Sequence, residues 1–262
     1  MATTLLSRNA SFTSQVLPTL NGAGFQLGET SRESTAKGHY ILGESLEKSV
    51  VDLSGNAHHL SVPFDQPVVG DGYCEVDSMM MFDTGLVIGD ELTMAVVFKR
   101  VGNGLVIGNL GRSGGLQRLD RNEEDLIGSA SIFTSTDITN FNAGYSQPMG
   151  ASSGSISNKA QYIDDSWCFA AYCISPTSTH ALTSHSGINN LLKAAHPGTA
   201  KTTTAEGKPV QNLHIGNPNY SSMAGKSLVA EAVFFERSLG HQELIALYKR
   251  SQARMKLKGI II

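Results

Sequence analysis

Apolar residues along this chain fall in short alternating or dense runs, separated by stretches rich in Gly, Ser, Asn and Thr. That is the pattern of β-strands joined by turns. Val50-Val51 closes one run, and Asp52-Leu53-Ser54-Gly55-Asn56 follows as a tight turn. Asp, Ser and Asn side chains bond the local backbone there, and Gly supplies a positive φ. Tyr73 to Met79 alternates as a strand, and the denser run Leu92 to Arg100 reads as a central one. Leu105 to Asn109 follows Gly102-Asn103-Gly104, a spacing that predicts a hairpin with the preceding strand. Ser129 to Thr134, Trp167 to Ile174, Val210 to Gly216 and Val229 to Arg237 continue the series.

A single segment has the helical period. From His241 to Lys256, Leu244, Ile245, Leu247 and Tyr248 share one face. Gly240 is placed as N-cap and Glu243 at N3, while Lys249, Arg250, Arg254 and Lys256 load the C-terminal half, as the helix dipole favours. Gly259 ends the element. Ile260-Ile261-Ile262 is expected to form a last edge strand or to pack on a neighbour, and it joins the basic helix face as an expected assembly surface.

Residues 1–40 are turn-rich and weakly patterned, which predicts an N-terminal arm that orders on assembly; residues 41–262 form the compact domain. Two polar tracts, about 146–165 and 195–208, read as exposed loops. There is no internal repeat and no heptad pattern.

The 262 residues are 40% hydrophobic and only 16% charged, with a net charge of −3. Many short strands and one helix place the chain in the all-β class, as a two-sheet antiparallel jelly-roll sandwich. The low charge leaves no basic face, so no nucleic-acid partner is expected. Cys74, Cys168 and Cys173 are an odd set without a disulfide framework. Cys168 and Cys173 lie five apart on one strand, point to opposite faces and cannot pair, so all three read as small buried hydrophobes folded in a reducing cytosol. No run is long enough for a membrane span, and the first residues lack the build of a signal peptide.

The order of these pieces resembles the concanavalin A-like lectin/glucanase superfamily in its laminin-G-like branch. The resemblance is carried by Asp52-Leu53-Ser54-Gly55-Asn56, Phe82-Asp83-Thr84-Gly85-Leu86, Asp165-Ser166-Trp167, Leu213-His214-Ile215-Gly216, Gly225 to Arg237, and Leu239 to Tyr248. It covers about residues 50–250 and implies a lectin-like sandwich. With the polar arm and no signal peptide, it is similar to domains of tailed-bacteriophage particles. That implies a non-enzymatic virion protein of a tail, baseplate or capsid surface, made in the host cytoplasm. Its implied partners are other virion proteins, further copies of itself as a homo-oligomer, and a host-surface glycan.

Glucanases of the superfamily carry three acids on one strand. Here Glu75-Val76-Asp77 supplies two, and the third place falls on Met79 or Met80. A retaining hydrolase needs both catalytic carboxylates, so a divergent glycoside hydrolase is the alternative reading. No cofactor is expected beyond a single calcium ion, for which Asp71, Asp77, Asp83, Asp164 and Asp165 are the oxygen donors available; the spacing leaves that site open. Histidines such as His58, His59, His180, His185 and His196 lack zinc spacing and read as loop and surface residues. Gly108 to Gly115 lacks a phosphate-loop Lys and reads as a wide loop. Sugar rings stack on aromatics, so Tyr145, Tyr162 and Tyr220, with Asn142, Asn217 and Asn219, form the candidate glycan site.

Overall fold

A computed structural model of the chain describes residues 32–87, 89, 91–109, 129–135, 138–144, 155–161, 166–185, 188–195, 212–216 and 225–262. Strands are numbered along the chain: β1 (Gly38–Ile41), β2 (Val68–Val69), β3 (Cys74–Val76), β4 (Phe82–Val87), β5 (Leu92–Arg100), β6 (Leu105–Gly108), β7 (Ser129–Ser135), β8 (Ile138–Gly144), β9 (Ser155–Gln161), β10 (Trp167–Ile174), β11 (Ser178–His185), β12 (Ile188–Ala195), β13 (Asn212–Ile215) and β14 (Ser227–Phe235). A one-turn helix α1 (Leu46–Ser49) follows β1, and α2 (His241–Leu257) follows β14.

The strands form two antiparallel sheets, the jelly-roll sandwich that the patterning predicts. One sheet runs β12-β11-β10-β5-β14-β3-β2, with β1 paired to β14 beside β3; the other runs β4-β13-β6-β7-β8-β9. Two hydrophobic cores result. Met94, Val96 and Phe98 of β5 and Cys168, Ala170 and Tyr172 of β10 point between the sheets, against Phe82, Ile107, Ile132 and Ile215. Ala95, Val97, Phe169, Ala171 and Cys173 point the other way, onto Leu244, Leu247, Tyr248 and Met255 of α2. Both faces of the larger sheet's centre are therefore covered, which is why β5 reads as a dense apolar run and not as a clean alternation.

The bulge in β14 breaks the alternation at a decisive place. The register shifts between Val229, opposite Phe98, and Glu231, opposite Val97. Strict alternation would send Glu231 into the intersheet core beside Val229; the extra residue turns it to the α2 face.

The Asp52 to Asn56 turn forms as its residues predict. Asp52 accepts from His39 N (3.0 Å), Ser54 N (2.9 Å), Ser54 Oγ (2.8 Å) and His58 N (3.0 Å), and Gly55 has φ +94°. Burial alone would raise the Asp52 carboxyl, but these bonds outweigh it and hold it below the usual range. Asn56 Nδ2 donates to Ala36 O, so the turn also pins the chain ahead of β1.

Several expectations are corrected. The Gly102-Asn103-Gly104 turn does not close a hairpin: β5 and β6 belong to different sheets. Asn103 is gripped from both sides, because Gly225 N donates to Asn103 O while Gly104 N donates to Thr134 O, and the chain arches from one sheet to the other. The polar tract 146–165 contains β9, and β12 is a further strand of Asn- and Lys-containing sequence. Ile260-Ile261-Ile262 does not form a strand; Ile260 and Ile262 are buried in the α2 core and Ile261 is 77% exposed. Residues 1–31 of the expected arm lie outside the described residues, while Glu33 and Ala36 are buried in the sandwich. Helix α2 starts at its predicted Gly240 cap, whose N–H donates to Glu243 Oε2 at 2.8 Å. No helix among the described residues is long and apolar enough to cross a membrane.

Candidate functional site

Of the six residues expected to bind sugar, Tyr145, Tyr162, Tyr220, Asn217 and Asn219 lie outside the described residues. Asn142 is placed by its backbone in β8, where it pairs with Ser131 and Ser157. This register continues across the whole smaller sheet: Asp83, His214, Gly108, Ser131, Asn142 and Ser157 occupy one cross-strand row. The adjoining row, Phe82, Ile215, Ile107 and Ile132, packs into the intersheet core. The polar row therefore lies on the sheet's opposite face. Asp83 there accepts from Gly85 N (2.8 Å) and, through both oxygens, from Asn212 Nδ2 (3.0 and 3.1 Å). His214 Nε2 stands 3.9 Å from Asp83 Oδ2, beyond hydrogen-bonding reach. Ser131 is fully buried and its Oγ has no hydrogen-bond partner. A side chain at Gly108 would strike Ala130 O at 2.2 Å, so this position admits only glycine.

The two acids considered for hydrolysis each have a partner within the fold. Glu75 forms an ion pair with Lys226 across the β3–β14 pairing. Asp77 accepts from Met79 N (2.7 Å) and Met80 N (2.8 Å), closing the turn into β4. Among the described residues no group of three or more His, Cys, Asp or Glu side chains is gathered for a metal ion; Asp164 and Asp165 lie outside them. Asp71 sits exposed in the turn between β2 and β3.

Among the described residues the densest charge cluster lies between β1, β14 and α2, and sequence reasoning missed it. Arg254 donates to Glu231 Oε1 (2.6 Å), Glu33 Oε1 (2.8 Å) and Ser251 Oγ (3.1 Å). Arg250 clamps both Glu33 oxygens at 2.8–3.1 Å. His39 Nε2 lies 2.9 Å from Glu231 Oε1, and His39 Nδ1 lies 3.0 Å from Glu33 N. A backbone N–H can only donate, so Nδ1 carries a lone pair and the ring proton sits on Nε2, facing Glu231. Two carboxylates and two guanidiniums balance around a neutral imidazole. Burial would raise the Glu231 carboxyl, but Arg254 and His39 more than offset that and hold it at about 2.

This cluster bears on two expectations. Of the basic residues in the C-terminal half of α2, Arg250 and Arg254 are committed inward, while Lys249 and Lys256 are exposed. Histidine is not confined to loops and surface: His39 and His214 are buried, and His180 Nε2 is 2.6 Å from Leu239 O. The three cysteines are free and buried, as expected, with Cys168 and Cys173 in different cores. Trp167, at the start of β10, is half-buried and packs against Tyr73 with ring centroids 5.9 Å apart.

No family model matches the chain, and no curated protein matches it. Solved structures do match in fold. The botulinum neurotoxin serotype G binding domain superposes with a TM-score of 0.52 at 10% identity, over 83% of this chain and 51% of that one. Domain 4 of AbnA, a GH43 extracellular arabinanase from Geobacillus stearothermophilus in complex with arabinotriose, gives 0.52 at 13% identity over 79% of this chain and 94% of that one. The receptor binding domain of botulinum neurotoxin D gives 0.52 at 9% identity over 82% and 52%. The chain thus spans about half the length of the neurotoxin domains and nearly all of the arabinanase domain. The two-sheet β-sandwich fold is shared with all three.

Proposed function

We propose that this chain is a non-enzymatic binding protein whose lectin-like sandwich recognises a glycan. The observation that carries this reading is the shared fold with the arabinanase domain held in complex with arabinotriose, which the chain covers almost from end to end. The partners of Glu75 and Asp77 add to it, since one acid is held in an ion pair with Lys226 and the other closes a turn, whereas glycosidic cleavage needs two carboxylates free to act on the bond. In the fuller form of the proposal the protein is a component of a phage-like particle, on its tail or capsid surface. There it would assemble with copies of itself and with other particle proteins, and present the sugar-binding residues to a host surface.

Titration calorimetry with arabinotriose and a panel of neutral oligosaccharides tests the binding. The expected result is saturable binding, weakened roughly threefold to tenfold by Tyr145→Ala or Tyr220→Ala, the weight of one aromatic contact. Release of reducing ends from polysaccharides, abolished in Glu75→Gln, would transfer the assignment to a divergent glycoside hydrolase. Absence of the chain from purified particles would remove the particle role.

A further inference from the structure

We propose that His39 is an acid-operated latch that holds the segment Glu33–Lys37 against the sandwich and loosens it when the ring is protonated. His39 is wholly buried at the start of the β1 pairing, and its two ring nitrogens have opposite jobs. Nε2–H donates to Glu231 on β14, and Nδ1 accepts the N–H of Glu33. A second proton has only Nδ1 to bind. There it would set an N–H against an N–H at 3.0 Å, converting a hydrogen bond into a repulsion. The backbone of Glu33 then loses its tie to the domain.

The charged groups around the ring set how far the segment moves. Glu231 faces Nε2 and accepts its proton. Asp52, from the turn that follows β1 and α1, accepts the backbone N–H of His39. Arg254 and Arg250 on α2 oppose an added positive charge, and both also hold the Glu33 side chain. Lys258, beyond the end of α2, feels Glu231 from farther off. Protonation therefore frees the backbone of Glu33 while its carboxylate stays clamped. The segment is loosened about that anchor and not expelled, and the response is confined to one side of the sandwich.

Amide exchange followed by NMR on the full chain tests the latch, between about pH 8 and pH 5, the range in which histidine titrates. Corrected for intrinsic exchange, protection of the Glu33 amide is expected to fall about tenfold or more on acidification, the factor for one lost buried hydrogen bond. Protection in β5 and β10 should hold. In His39→Asn the side-chain oxygen accepts the same N–H without titrating, so the drop should vanish. An unchanged Glu33 protection in the wild type overturns the proposal, as does an equal drop in His39→Asn, which would assign the effect to a carboxylate. Ring nitrogen shifts of the wild type read the tautomer whether or not the variant folds. A proton on Nε2 alone at neutral pH is expected, and a ring protonated on both nitrogens there overturns the latch.

Discussion

At the scale of single residues, the buried cluster is where the chain spends its charge. Its members are as far apart in sequence as Glu33 and Arg254, separated by 221 positions. Removing one partner leaves the others charged in a dry site, which costs about 3–5 kcal/mol, whereas replacing a pair by apolar residues of similar size is close to neutral. Glu231→Ala is therefore expected to lower unfolding stability by that amount in urea, and Glu231→Leu with Arg254→Met to recover most of it. The pH dependence has a definite sign. The folded carboxyl of Glu231 sits at about 2 against an ordinary 4.5, so its contribution is fully present above about 4.5. It is lost as pH falls toward 2, and amounts to something on the order of 3 kcal/mol. Acid titration of urea stability should show that loss in the wild type and a flatter limb in the double variant. A wild-type stability flat from pH 5 to about 2 would mean that folding does not lower the Glu231 carboxyl.

At the scale of elements, the C-terminus separates two readings that the sequence leaves equal. Three consecutive isoleucines look alike in a pattern, but Ile260 and Ile262 close the α2 core while Ile261 faces outward. Tyr248 OH and Gln252 Nε2 both donate to Ile262 O, tying the last residue back to the helix. Ile260→Ala is expected to cost about 2–4 kcal/mol in thermal or urea unfolding, and Ile261→Ala close to nothing. Equal effects at the two positions would contradict this packing. The same contrast shows what was legible. Helix α2, its Gly240 cap, β5, β10 and β14 are readable because period and apolar density are local properties. The arch at Gly102 to Gly104 is not, because an Asn-Gly turn signals a reversal and says nothing about which sheet receives the next strand. Strands β9 and β12 escape notice because their Ser, Asn and Lys content masks any alternation. The charge cluster is invisible for another reason: nothing short-range in Glu33, His39 or Glu231 announces a partner on α2, and only the β14 bulge aims Glu231 there. Among the candidate sugar contacts, Asn142 alone is placed, and it gains neighbours, Ser131 and Ser157, that no spacing rule connects to it.

At the scale of the whole molecule, the question is whether two cores on the two faces of one sheet unfold together. Strand β10 carries a reporter for each: Cys168 points between the sheets and Cys173 points toward α2. Cys74 adds a second probe of the intersheet core. All three thiols are buried, and burial drives each away from the reactive thiolate, Cys173 to about 12. Native alkylation must therefore wait for an opening, and its rate reports which opening occurs. Helix α2 is bound to the rest by Leu244, Leu247, Tyr248 and Met255, by the ring contact of Tyr248 with Phe169 at 5.5 Å, and by the Arg254 cluster. It has no route to leave without exposing that whole face. The expected outcome is one common modification rate for the three cysteines in native buffer, rising with urea in step with global unfolding, as read by mass spectrometry of iodoacetamide-labelled peptides. Faster labelling of Cys173 alone would show α2 peeling from an intact sandwich. Glu231→Ala gives that alternative its best chance, because it removes the ionic tie between the helix and β14 without touching the intersheet core; in that variant Cys173 should outpace Cys168 if the ionic cluster is what couples the two layers.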